Sequence, residues 1–210
     1  MMKQIIGIHA HDSNISYMEA LFNEDDNVKK HLIIKPQMDL EDQRKKLMAL
    51  IKKELKSDVV GFMITCTVYA SLIEESDIDG VPIWKIEDPI IEAIIQDDHQ
   101  KFLFFSNPDT VPLTMAKVKA GYQKKGKESD YQVRLIPDSF PLIMSGQQAA
   151  YEEAIKEAIA PYLQEKGSVY LMQLSMSLLD GTDNVKTVYG AARESCNVKG
   201  ETFARSLKIT

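Results

Sequence analysis

Val59-Val60-Gly61-Phe62-Met63-Ile64-Thr65-Cys66 is an almost unbroken apolar run that ends on a hydroxyl and a thiol. A run of this kind is the pattern of a strand covered on both faces, as in a parallel sheet. The pattern returns in Ser168-Val169-Tyr170-Leu171-Met172-Gln173-Leu174-Ser175. Each run is the third strand-like segment of its half of the chain, which suggests an internal duplication.

Outward from the first run, residues 4–9 and 31–35 read as strands and 16–23 as a short helix. Residues 39–56 form an amphipathic helix with Leu47, Met48, Ile51 and Leu55 on one face and Asp39 as its N-cap. Residues 82–86 are a strand and 89–96 a helix with Pro89 in its first turn. The pattern then restarts with strands at 101–106 and 132–136 and helices at 110–124 and 149–165, the last interrupted by Pro161. The second quoted run is followed by a strand at 184–189 and a helical tail. Strands alternating with helices imply right-handed crossovers and mainly parallel sheets. The expected fold class is α/β, as two pseudo-symmetric domains, each a mainly parallel four-stranded sheet flanked by helices. No low-complexity linker divides them. The junction near 97–100 gives domains 1–98 and 99–210, and the C-terminal helix is left able to pack back on the first.

The 210 residues are 44% hydrophobic and 27% charged, an ordinary globular composition. With 25 Lys and Arg against 31 Asp and Glu, the net charge of −6 disfavours binding to a phosphate backbone, so no nucleic-acid partner is expected. No apolar run reaches the length of a membrane span, and the N-terminal stretch is too short for a signal peptide. Two distant cysteines, Cys66 and Cys196, make no disulfide framework, and the expected setting is cytoplasmic.

In open α/β sheets ligands bind beyond the carboxyl ends of the strands, so the residues there carry the functional reading. After the first strand come His9, His11, Asp12 and Ser13; after the third, Cys66 and Thr67; after the fourth, Glu87 and Asp88. In the second half the corresponding residues are Asn107, Asp109 and Thr110, then Ser175, then Gly190. A thiol where a strand enters a helix sees the positive end of the helix dipole, which favours thiolate, and the adjoining N–H groups can hold a carboxylate. The alternative is that Cys66 is a small core hydrophobe. His9 and His11 share a strand face, but no further ligand stands at a diagnostic spacing, so no metal is expected. A hydrogen-bonding or acid–base role suits them better, or a polar loop with Asp12 or Ser13 as an N-cap. Glu87 and Asp88 are carboxylates for a substrate ammonium, or Asp88 caps the next helix. Asn107-Pro108-Asp109-Thr110 opens a helix and reads as an anion site or as a cap and turn. No Walker, Gly-x-Gly-x-x-Gly or Gly-x-Ser-x-Gly motif occurs, so phosphate-loop, nicotinamide, flavin and α/β-hydrolase readings have no support.

Several segments, in order, resemble the Asp/Glu/hydantoin racemase superfamily: Ile8-His9-Ala10 with Ser13, Ile64-Thr65-Cys66-Thr67, Val81-Pro82-Ile83 through Ile86-Glu87-Asp88-Pro89, Phe104-Phe105-Ser106 with Thr110, and Leu171-Met172-Gln173-Leu174-Ser175-Met176. The resemblance covers most of the chain. It implies a cofactor-independent racemase or isomerase acting on a small carboxylate or amino acid held between two α/β domains, and it makes a homodimer plausible. In such racemases two thiols flank the substrate's Cα, one removing the proton and the other returning it. Carried over, Cys66 is one acid/base. Ser13, Thr67 and Thr110 are carboxylate contacts, with Asn107 beside them. The second thiol position is read as Ser175, a much weaker acid–base partner, and His9 is an alternative second base. That departure keeps two rivals open: a single-thiol lyase such as a decarboxylase, and a non-catalytic carboxylate-binding protein. Cys196 lies beyond the last strand and is not expected to replace Ser175.

Overall fold

The computed structural model describes residues 3–22, 27–35, 39–164 and 167–198. The chain divides into two compact units, Met1–Ile86 with the segment from Ser195, and Glu87–Glu194. The expected ends of helices at residues 23 and 165, and the tail beyond 198, lie outside the described residues.

The first unit begins with β1 (Gln4–His9), a 3-10 turn (Asp12–Asn14) and α1 (Ile15–Leu21). Then come β2 (Val28–Ile33), α2 (Leu40–Glu54), β3 (Val59–Ile64), α3 (Thr67–Leu72), β4 (Asp77–Ile78) and β5 (Val81–Lys85). The sheet order is β2-β1-β3-β5-β4, parallel except for the two-residue β4, which pairs antiparallel to β5. β4 makes the sheet five-stranded where four strands were expected; Asp79 and Gly80, both at positive φ, turn its chain back into β5. Pleating sends Ile6 and Ile8 of β1, Phe62 and Ile64 of β3 and Ile83 of β5 to one face. There they bury Leu47 and Ile51 of α2 and Tyr69, Ala70 and Ile73 of α3. Asp39 caps α2 as expected, its carboxylate accepting from Asp42 N at 3.0 Å. On the other face Gly7 backs onto His9 and Met18, and Gly61 onto the Trp84 ring.

The second unit holds α4 (Asp88–Gln96), β6 (Gln100–Phe105), a 3-10 turn (Pro108–Thr110), α5 (Val111–Lys125) and β7 (Tyr131–Leu135). It continues through α6 (Ser139–Met144), α7 (Gln148–Ile159), β8 (Gly167–Leu171), a 3-10 helix (Leu174–Leu179), β9 (Val185–Thr187) and α8 (Val188–Val198), of which the part up to Glu194 counts with this unit. Its sheet is parallel throughout, in the order β7-β6-β8-β9. With the short β4 left out, the parallel strands of both sheets run 2-1-3-4 counted within each unit, and the two quoted runs hold the third strands of both. Phe102, Phe104, Val169 and Leu171 pack on Tyr151, Ile155 and Ile159 of α7. Gly126 ends α5 in the left-handed region, φ 63°, where a residue without Cβ is favoured.

Several local expectations change. Asp88 is the first residue of α4 rather than its cap, and Glu87 precedes it without a side-chain capping bond. Val188 and Tyr189 begin α8 instead of ending a strand, and α6 fills a stretch with no sequence assignment. The partition counts α4 with the second unit, where a boundary at 98/99 counts it with the first. Among the described residues, no helix is long and apolar enough to cross a membrane.

Candidate functional site

Cys66 follows the last paired residues of β3 and stands at the N-cap of α3 in extended conformation. Its side chain is partly buried against the core cluster of the first unit, and neither it nor Cys196 forms a disulfide. Burial, and after it the charge of the Cys66 thiolate, pushes the Tyr69 phenol above its ordinary value. The Tyr69 hydroxyl donates to the Ile34 carbonyl. Thr67 opens α3, partly buried, and its carbonyl accepts from Ser71 Oγ at 2.8 Å.

Beside the thiol, Thr65 is the inner end of a chain of hydrogen bonds. Its Oγ1 lies 2.8 Å from His9 Nδ1, His9 Nε2 lies 3.1 Å from His31 Nδ1, and His31 Nε2 lies 2.6 Å from Glu19 Oε1. A carboxylate only accepts, so His31 Nε2 donates to Glu19. Thr65 Oγ1 accepts from Asn14 Nδ2 at 3.3 Å. Burial, and then His31, pushes His9 down to about 4, so it is neutral near pH 7. His9, expected as an alternative second base, is fully buried with both nitrogens engaged, one on Thr65 and the other on His31. His11 instead caps the first 3-10 turn, its Nδ1 accepting from Ser13 N at 3.2 Å, so neither Asp12 nor Ser13 is the cap. Ser13 is exposed.

The second unit repeats this frame. Thr65 N donates to Ile8 O at 3.1 Å, and Met172 N donates to Phe104 O at 3.0 Å. Ile8 pairs with Ile64, and Phe104 with Leu171. After β6, Asn107 takes the part of His11: its side chain accepts from Asp109 N at 3.0 Å and caps the second 3-10 turn. In this register Thr65 corresponds to Met172, and Cys66 corresponds to Gln173. Both Cys66 and Gln173 are extended N-cap residues. The sequence pairing of Cys66 with Ser175 is therefore out of register by two positions. It arose because the apolar run outlasts the strand: Met172, Leu174 and Met176 are buried after β8 has ended.

Gln173 is buried, and its amide is fully engaged. Oε1 accepts from Ser106 N at 2.6 Å, Ser106 Oγ at 2.7 Å and Asn107 N at 2.9 Å, while Nε2 donates to Thr110 Oγ1 at 3.1 Å. Thr110 Oγ1 in turn donates to Asn107 O at 3.0 Å. Asn107 and Thr110, expected as substrate contacts, thus have the Asn107 N–H on Gln173 and the Thr110 hydroxyl proton on the Asn107 carbonyl. Ser106 Oγ also meets the Tyr151 hydroxyl at 2.8 Å, and that hydroxyl meets Ser175 Oγ at 3.0 Å. Tyr151 is fully buried, and burial pushes its phenol up. Glu87 is buried in an ion pair with Lys117, and Asp88 is exposed. Gly190 lies against Asp180 and donates its N–H to Thr187 Oγ1 at 2.9 Å. Among the described residues, no group of three His, Cys, Asp or Glu side chains is arranged to hold a metal ion.

The sequence analysis named Cys66 and Ser175 as site residues but not Asn14, Glu19, His31, Thr65, Ser106, Tyr151 and Gln173, which form the hydrogen-bonded chains at these strand ends. Counting from the last paired residue of each third strand, instead of matching the apolar runs, would have found Gln173.

No protein-family model matches this sequence, and no curated protein is similar to it. Solved structures are. Glutamate racemase isoform RacE1 from Bacillus anthracis superposes with a TM-score of 0.68 at 10% identity, over 96% of this chain and 82% of that one. Glutamate racemase from Francisella tularensis, solved in complex with D-glutamate, gives a TM-score of 0.68 at 13% identity, over 99% and 83%. Aspartate racemase from Picrophilus torridus gives 0.65 at 12% identity, over 94% of both chains. The chain has the α/β fold of these glutamate and aspartate racemases, the fold that the resemblance in its sequence implied.

Proposed function

We propose that this chain is a racemase- or isomerase-like enzyme that moves a proton at the carbon α to the carboxylate of a small carboxylic or amino acid, with Cys66 as the proton-transfer group. The observation that carries the reading is the setting of Cys66. It is a partly exposed thiol at the carboxyl end of a central parallel strand, next to a threonine held by buried His9, which His31 and Glu19 link out to the surface. Structural cysteines rarely need such support, whereas a group that must sit within a fraction of an ångström of a reacting carbon does. In this reading the Cys66 thiolate takes the α-proton. Thr67 and Ser13 hold the carboxylate as negative charge builds on it. His9, His31 and Glu19 are positioning residues.

The likeness to racemases solved with amino-acid ligands supports the substrate class. The test is deuterium incorporation at Cα of D- and L-glutamate and D- and L-aspartate in D₂O, followed by proton NMR. Wild-type protein is expected to exchange one of these acids. Cys66→Ala should slow exchange by about 10²-fold or more, the usual contribution of a general acid–base group. Exchange that survives Cys66→Ala overturns the reading. A decarboxylase instead releases CO₂ and loses mass, which the same spectra detect.

A further inference from the structure

The His31–His9–Thr65 chain of the first unit has two arrangements of protons, and the charge on His31 selects between them. Glu19 lies half exposed on α1 and only accepts, so His31 Nε2 carries a proton in both. When His31 is neutral, its Nδ1 is a lone pair. The 3.1 Å bond to His9 then needs a proton on His9 Nε2. That leaves His9 Nδ1 as an acceptor, and the Thr65 hydroxyl donates to it across 2.8 Å. When His31 is cationic, its Nδ1 also carries a proton and donates to His9 Nε2. His9, still neutral, then carries its proton on Nδ1 and donates to Thr65 Oγ1. That oxygen also accepts from Asn14 Nδ2, so the hydroxyl turns its own proton to the Ile8 carbonyl, 3.5 Å away. His31 takes one proton from solvent, His9 exchanges its Nε2 proton for one on Nδ1, and Thr65 keeps its own.

We infer that His31 and Glu19 are the titrating outer end of a switch whose inner end is the Thr65 hydroxyl, so that a charge taken up near the surface reverses the hydrogen bond beside Cys66. The switch lies within the first unit and does not depend on what Cys66 does. Glu19 from α1 and His9 from β1 are the ionisable groups bonded to the His31 ring. Lys29 shares its face of β2, and Lys30 turns to the opposite face, to Glu54 of α2. His9 is fully buried, and burial, followed by the neighbouring His31, holds it down to about 4, so it stays neutral above that pH.

The test is the proton position on His9, read by nitrogen-15 NMR of the full chain labelled at its histidines, since a ring nitrogen with a proton and one without differ widely in shift. His9→Phe identifies the His9 signals. From about pH 8 down to about pH 5, the range of an ordinary imidazole, the His9 proton should pass from Nε2 to Nδ1 with the midpoint of the His31 titration. Glu19→Gln keeps an acceptor and removes the charge, so that midpoint should fall by about 0.5 pH unit, the weight of an exposed ion pair. His31→Phe should leave His9 in one form throughout. A His9 ring that keeps one proton position over the whole range overturns the inference. So does a second proton gained on His9 together with His31, a midpoint unmoved by Glu19→Gln, or a change that persists in His31→Phe.

Discussion

The loops at the carboxyl ends of β1 and β3 and those at the ends of β6 and β8 share a backbone frame but are filled by opposite chemistry. In the first unit Asn14 of the first loop donates to Thr65 of the third strand's end, at 3.4 Å to its carbonyl and 3.3 Å to its hydroxyl. In the second unit the tie runs the other way, from Gln173 to Thr110. The first unit backs its tie with titratable groups, His9, His31 and Glu19. The second backs it with a neutral amide, two hydroxyls and a phenol. Side-chain size follows: by register Gly7 and His9 correspond to Leu103 and Phe105. A glycine in β1 makes room for an imidazole where the second sheet packs two apolar side chains. A repeated frame therefore fixes where a loop ends, and the side chains decide whether titratable or neutral groups stand there.

The strongest way to break the comparison is Gln173→Ala. It strips partners from two backbone N–H groups and from the Ser106 hydroxyl in a buried place, at a cost of about 4 kcal/mol. Gln173→Glu keeps an acceptor for all three, and these three donors offset the desolvation of its carboxylate, so with the bond to Thr110 lost it should still cost less than Gln173→Ala. Urea unfolding at pH 7 measures both. Equal losses would mean that Gln173 acts by filling space.

The sequence made the α/β fold legible because long apolar runs mark strands covered on both faces and helical periodicity marks the helices that cover them. It located Cys66 because β3 stops where its apolar run stops. It misplaced the counterpart because burial continues past β8 into a 3-10 helix, where Leu174, Met176, Ser177 and Leu179 are all buried. The His9–His31–Glu19 chain was illegible for another reason. Its members come from three elements, and neither periodicity nor spacing encodes which side chains meet across a parallel sheet. The same holds for Tyr151 of α7 meeting Ser106 and Ser175.

The titratable character of the first unit gives the next effect. The folded state holds His9 at about 4 against 6.5 for an ordinary imidazole. Between those values the unfolded chain binds the proton that the folded chain refuses, so stability rises with pH across the window. The contribution is complete above pH 6.5 and is lost as pH falls toward 4, amounting to about 3 kcal/mol. His9→Phe, which writes the second unit's residue into the first, should flatten this window. It should leave the lower one, in which the Arg44 guanidinium holds Glu75 at about 2. Stability measured by urea at pH 7 and pH 5 in both proteins decides it; an unchanged slope would mean that His9 is not the group responsible.

The smallest effect is expected at Gly7. A Cβ there would run into His9 Nε2 and Met18 Sδ. Met18 is long and unbranched and can turn aside. His9 cannot, because its ring is held at one nitrogen by Thr65 and at the other by His31. Gly7→Ala should therefore cost about 2 kcal/mol, typical of overpacking, and the strain should be relieved by breaking the His9–His31 bond. A ring freed from His31 and partly hydrated takes up a proton more readily, so the pH 5 to 7 slope should shrink along with the midpoint. If stability falls while the slope stays intact, Met18 has absorbed the methyl group. The small residue in β1 would then serve the packing of α1 rather than the imidazole chain.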